Sequence, residues 1–166
     1  VSLEDQWLKL QDKDPFDYAK VERKIPASKE LKVSFDLKAG QNNKGTLQIE
    51  FLDENGIACS RMELTDDGIF RLKGGSRFAN MMKYEAGKVY HVEAVLSTVD
   101  RNIQVYVDGK RVGLRMFYAP VAAVERIVFR TGIPRTFPTV DTPADQTYDL
   151  PNAGAQDPLA EYGIAN

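Results

Sequence analysis

Apolar and polar residues alternate one by one through most of this chain. In ELKVSFDLKAG, Leu31, Val33, Phe35 and Leu37 alternate with Lys32, Ser34, Asp36 and Lys38. Successive side chains of an extended backbone point to opposite faces, so a period of two predicts a strand with one greasy and one wet side. GTLQIEFLDENG repeats the pattern, with Leu47, Ile49 and Phe51 on one side and Gln48 and Glu50 on the other. Asn55-Gly56 then turns the chain into IACSRMEL, and Asp66 to Gly68 turn it into IFRLKG. After a longer connection, Gly74 to Gly87, the strand KVYHVEAVLS places Tyr90, Val92, Ala94 and Leu96 on one face. NIQVYV, KRVGLRM and VERIVFRTG follow, and DQWLKLQ and YAKVERKI supply two strands near the start. About ten strands separated by turn signals, with no sustained period of 3.6, predict an all-β chain. Helix is expected only as a single turn in FANMMKYEAG, and SLEDQW has the look of a capping box with no helix behind it. The architecture this implies is two antiparallel sheets packed face to face.

The stretch from Ile133 to Pro158 breaks the pattern, holding five of the eight prolines. Proline removes ladder donors, so this segment is expected to be an ordered surface loop, residues 133–158. It returns AEYGIAN, with Tyr162 and Ile164, as a closing edge strand near residues 160–166. Residues 1–166 are then one β-sandwich domain, a size that supports a substantial core. The chain opens on Val1 and closes on an extended stretch, and is expected to be a region of a larger protein.

Composition narrows the function. A net charge of −2, with basic and acidic residues interleaved, excludes the basic stripe of a nucleic-acid binder. One cysteine, Cys59, and one histidine, His91, rule out an internal disulfide and a Cys/His zinc site. Cys59 within GIACSRMEL reads as a small buried hydrophobe. No window approaches the roughly 18 apolar residues of a membrane span.

The run from GTLQIEFLDENG through DDGIFRL to EAGKVYHVEAVLSTVDRNIQVYVDGKRVG resembles the concanavalin A-like jelly rolls of the laminin-G and lectin/glucanase type. The likeness rests on Gly87-x-x-Tyr90 entering a strand, a turn at Asp100, a second strand, and VYVDGK with Gly109 in a hairpin turn. It covers roughly Asp5 to Thr131. Asp108 and Gly109 are scaffold in this reading, because a type I′ turn needs positive φ at both central residues. The resemblance implies a jelly-roll sandwich used by lectins, carbohydrate-binding modules, glycosidases, lyases and adhesion domains alike. Its style is similar to accessory modules of bacterial polysaccharide-degrading enzymes, which implies a secreted, periplasmic or cell-surface setting.

Catalysis within this chain alone is not expected. The glucanases of that superfamily carry carboxylates at alternate positions of one strand, where they flank one glycosidic bond. Here the corresponding face offers Gln48, Glu50 and Leu52, and one carboxylate cannot play both roles. Lyase chemistry would need His91, Arg61, Arg71 and Tyr106 to converge from neighbouring strands. Sugars are held by aromatic platforms and planar hydrogen-bonding groups. The binding candidates are Gln48, Glu50, Arg61, His91, Gln104 and Tyr106, expected to share a polar sheet face. Loop aromatics Phe78, Tyr84, Phe117 and Tyr118 form a second group, read mainly as pinning loops and covering an edge, and Trp7 is read as core. No cofactor is expected. Asp53, Asp66 and Asp67 suit structural calcium but are equally good turn formers, and no metal is assigned to them. The reading is a non-catalytic module that binds a polysaccharide or oligosaccharide, or orients a neighbouring catalytic domain of the same parent. The alternatives are part of a glycoside hydrolase or polysaccharide lyase whose active site lies mostly outside these residues, and a laminin-G-like protein-interaction domain.

Overall fold

The computed structural model describes residues 1–12, 18–132 and 160–165, and among these there are thirteen strands and no helix. In chain order they are β1 (Ser2–Glu4), β2 (Trp7–Asp12), β3 (Lys20–Ser28), β4 (Glu30–Ala39), β5 (Leu47–Leu52), β6 (Ala58–Leu64) and β7 (Ile69–Gly74). The rest are β8 (Arg77–Lys83), β9 (Val89–Ser97), β10 (Asn102–Val107), β11 (Lys110–Met116), β12 (Val124–Thr131) and β13 (Ala160–Ala165). They form a seven-stranded sheet, β1-β2-β13-β4-β9-β10-β11, and a six-stranded sheet, β3-β12-β5-β6-β7-β8. The two antiparallel sheets make the expected β-sandwich.

The alternation in the sequence becomes the core. Phe35 and Leu37 of β4, with Val92, Ala94 and Leu96 of β9, face Leu47, Ile49 and Phe51 of β5, all buried. Phe35 also meets Phe129 of β12 edge-on across the sandwich, ring centroids 5.1 Å apart at 90°. An edge-to-face pair sets positive ring edge against negative ring face. The β10–β11 turn has the predicted form, with φ of 50° at Asp108 and 77° at Gly109. Asp108 also clasps the neighbouring strand: its Oδ1 accepts the His91 backbone N–H at 3.0 Å, and its own N–H donates to the His91 carbonyl at 2.9 Å.

SLEDQW, whose capping-box look has no helix behind it, forms a hairpin: β1 pairs with β2 through Asp5 and Gln6, both at positive φ. Two expectations change. FANMMKYEAG is not a helical turn but falls mostly in β8, which pairs along β7. There Met81 packs so closely on Gly113 of β11 that a Cβ at Gly113 would lie 2.7 Å from its sulfur. A partner strand with open ladder groups outweighs a weak local helical preference. Finally, β13 is not an edge strand. It lies between β2 and β4, because the N-terminal hairpin pairs along its outer side. The expected loop at 133–158 lies outside the described residues.

Candidate functional site

The face of the six-stranded sheet turned away from the core carries a polar ladder. Register sets Arg130, Gln48, Glu63 and Arg71 in one cross-strand row, from β12 through β5 and β6 to β7. The next row holds Val128, Glu50 and Arg61. Gln48 and Glu50 are 0% exposed and Arg61 is 2% exposed. Burial relents towards β7, where the Arg71 side chain is 34% exposed. Arg61 Nε donates to Glu50 Oε1 at 2.7 Å, and its terminal nitrogen stands 2.5 Å from the same oxygen. Arg71 forks onto Glu63 with bonds of 3.0 and 2.9 Å. Tyr118 roofs part of the ladder, with Lys73 Nζ 4.4 Å and the Arg61 guanidinium 5.9 Å from its ring centre. It is held there by a backbone bond from its N–H to the Cys59 carbonyl. Phe78 lies under the Arg71 guanidinium at 4.3 Å.

The electrostatics follow from this crowding. Burial opposes the Arg61 charge, but Glu50, Tyr118 and Glu63 outweigh it and raise the guanidinium's affinity for its proton. Lys73 moves the other way, lowered by burial and then by repulsion from Arg61. The ladder is not internally closed. Among the described residues, neither amide atom of Gln48 has a hydrogen-bond partner, nor does Glu50 Oε2. Buried polar atoms are nearly always paired, so unpaired ones beside a buried ion pair are an exception in this fold.

The six expected binding residues do not share one face. Gln48, Glu50 and Arg61 lie on this ladder and are buried, not solvated. His91, Gln104 and Tyr106 lie on the outer face of the seven-stranded sheet, on β9 and β10. There His91 Nδ1 is 2.8 Å from Asp36 Oδ1, and the Tyr106 hydroxyl donates to Gln104 Oε1 at 3.0 Å. The convergence that lyase chemistry needs therefore does not form, because Arg61 and Arg71 belong to one sheet and His91 and Tyr106 to the other. Gln48 and Glu50 do share a face, as the glucanase comparison assumes, with a single carboxylate between them.

Tyr84 is buried, its hydroxyl donating to the Thr65 carbonyl at 2.6 Å, and burial pushes it up to about 12. Cys59 is a buried hydrophobe whose thiol burial pushes up to about 12. Asp53 caps its own turn, accepting from the backbones of Asn55 and Ile57. No group of three or more His, Cys, Asp or Glu side chains gathers in metal-holding geometry among the described residues. Trp7 departs from its expected core position. It alternates with Leu8 and Leu10, so it stands on the outer face of β2 with its six-membered ring across Gly163. Arg130, missed in the sequence, shares the Gln48 row; its signal was its alternation with Phe129, blurred by apolar Val128 on the same face.

A family model described as "Sialidase-like, CBM domain", where CBM denotes a carbohydrate-binding module, matches residues 1–146. The chain belongs to that family. The module is also similar to a solved structure named "Sialidase", at 87% identity and a TM-score of 0.86 over 99% of its length. It spans only 15% of that protein's chain. A SAP-like pentraxin from Limulus polyphemus superposes with a TM-score of 0.51 at 18% identity, covering 99% of the module and 76% of the pentraxin. A tetrameric galectin from the sponge Cinachyrella superposes with a TM-score of 0.52 at 9% identity, covering 89% and 99%. At those identities the likeness concerns the fold alone, and that fold is the concanavalin A-like jelly roll. No curated protein matches the module. No helix among the described residues is long and apolar enough to cross a membrane.

Proposed function

We propose that the module is a non-catalytic glycan-binding part of a sialidase that works outside the cell or at its surface, and that the ladder on the six-stranded sheet is where it holds its sugar. One observation carries the reading: both amide atoms of Gln48 and Glu50 Oε2 are buried without partners among the described residues, directly beside the Arg61–Glu50 pair. A sugar's hydroxyls both donate and accept, so they match an amide and a carboxylate oxygen side by side. At the partly exposed end of the ladder, among the described residues, Arg71 and Lys73 stand against Glu63, which favours an acidic oligosaccharide over a neutral one. Phe78 and Tyr118 supply aromatic surface at the partly exposed β7–β8 margin, where a ligand would enter. The rest of the parent chain would supply the chemistry, and the module would hold it near its substrate.

Calorimetric titration of the 166-residue chain with sialyllactose, a uronate oligosaccharide and lactose tests this. Saturable binding that favours the acidic sugars and is lost in Gln48→Met is the expected result. Undiminished binding in folded Gln48→Met would remove the ladder as the site. Binding of none of the three would count against glycan recognition.

A further inference from the structure

The geometry points to a second, separate sugar site on the opposite face of the sandwich, a groove floored by Gly163 and Gly40 with Trp7 as its platform. Gly163 of β13 sits between Lys9 of β2 and Lys38 of β4 in the cross-strand register. Any side chain there would collide with the indole, since a Cβ would lie 2.9 Å from the Trp7 ring. The bare glycine leaves the room that the ring occupies against β13. Beside it opens a pocket of about 340 Å³, lined by Trp7, Lys9, Lys38, Glu161 and the two glycines, with Glu4 and Asp5 at its rim. A second pocket of about 400 Å³ adjoins it through Gly40 and Glu161 and extends to Gln41 and Lys44. Both volumes fall in the range of roughly 300–1,000 Å³ usual for small-ligand sites.

The polar groups here are held in place. Glu161 receives a bond from Gln11 Nε2 at 2.6 Å, and its backbone N–H donates to Gln41 Oε1 at 3.0 Å. That leaves Gln41 Nε2 buried and without a partner among the described residues, on the wall of the second pocket. Lys9 is paired with Glu4 at 2.6 Å. The turn that presents Glu4 and Trp7 carries Asp5 at φ 48° and Gln6 at φ 70°, a left-handed conformation that residues with side chains rarely adopt. An aromatic plane, a fixed carboxylate, a free amide donor and a lysine around a shallow trough suit a pyranose ring. Its apolar C–H face lies on Trp7 and its hydroxyls reach Glu161, Lys38 and Gln41. With charges of both signs at its rim, the groove takes a neutral sugar. It is distinct from the ladder, and rests on the glycan-binding reading only for the class of ligand.

Trp7 is the single tryptophan of the chain, so its emission reports on this groove and not on the ladder. Titrating the chain with methyl glucoside, methyl galactoside and methyl N-acetylglucosaminide should give a saturable emission change with at least one. By ligand-observed NMR, Trp7→Ala should weaken that sugar roughly tenfold or more, the size expected for losing an aromatic contact. Gln41→Ala, which leaves the platform intact, should weaken it while preserving the emission spectrum of the free protein. Gln48→Met on the other face should leave it unchanged. No emission change with any of the three sugars would overturn the groove. So would sugar binding that persists in both Trp7→Ala and Gln41→Ala. Oligosaccharide binding lost in Gln48→Met with Trp7 emission unmoved would keep the ladder and discard the groove.

Discussion

Replacing Gln48 by Met separates stability from recognition. Gln48 is 0% exposed, and both of its amide atoms lack partners among the described residues. Leaving a buried polar group unpaired costs about 1–3 kcal/mol, and an amide has two such atoms. Met is unbranched, nearly the same length and apolar, so it fills the space without that cost. Its cross-strand neighbours limit the gain: Glu63 keeps its fork to Arg71, but Arg130 gains an apolar neighbour. A net stabilisation of about 1–2 kcal/mol is expected. For a domain of this size that is a rise of roughly 2–8 °C in Tm. Calorimetric melting and urea titration should show the higher midpoint with an unchanged m value, which rules out altered compactness as the cause. Sites that bind ligands often carry such a stability cost, and removing it often removes function. If Gln48→Met instead destabilises the module by more than about 1 kcal/mol, the amide is serving the fold, and the argument that it awaits a ligand fails.

The Arg61–Glu50 pair should behave in the opposite way. Glu50→Gln leaves a buried guanidinium without its carboxylate and should lower urea stability by about 3–5 kcal/mol, whereas replacing both residues by Met should recover most of it. Alkaline stability should fall as the pH rises from 9 to 12. Cys59 and Tyr84 ionise at 9.0 and 10.0 ordinarily but only at about 12 when folded, so above pH 9 the unfolded chain releases protons that the native chain retains. Cys59→Ala should flatten the part that begins near pH 9, and a urea midpoint constant from pH 8 to 12 would contradict the assignment. Gly109→Ala places a Cβ at φ 77° and should cost about 1–2 kcal/mol in the β10–β11 hairpin, measured by thermal melting.

Much of the scaffold is legible residue by residue. Leu31 to Leu37 announce β4 and its core face, and Asp108-Gly109 announces a turn that the structure builds with both residues at positive φ. β8 was hidden because Ala79, Asn80, Met81 and Met82 carry no alternation. It is a strand only because β7 offers it an edge. The candidate site was legible in part. Gln48, Glu50 and Arg61 were identifiable as the off-core positions of neighbouring strands, and the turn between them implied their pairing. That these positions are buried was not identifiable, because alternation distinguishes the core side of a strand from its other side and says nothing about what lies beyond that other side.

For the strands that alternate, the sequence alone determined where the chain is extended, where it turns, and which side of each strand enters the core. These are local consequences of backbone sterics and a period of two. Tertiary structure alone decided which sheet each strand joins. Gln48 and His91 are both off-core residues of strands, yet they end on opposite outer faces because β5 pairs with β12 and β6 while β9 pairs with β4 and β10. It also decided that β13 enters between β2 and β4, setting Gly163 beneath Trp7. Ladder hydrogen bonds are identical for every pair of strands, so partners are chosen by the packing of the whole sandwich and not by any one strand's residues.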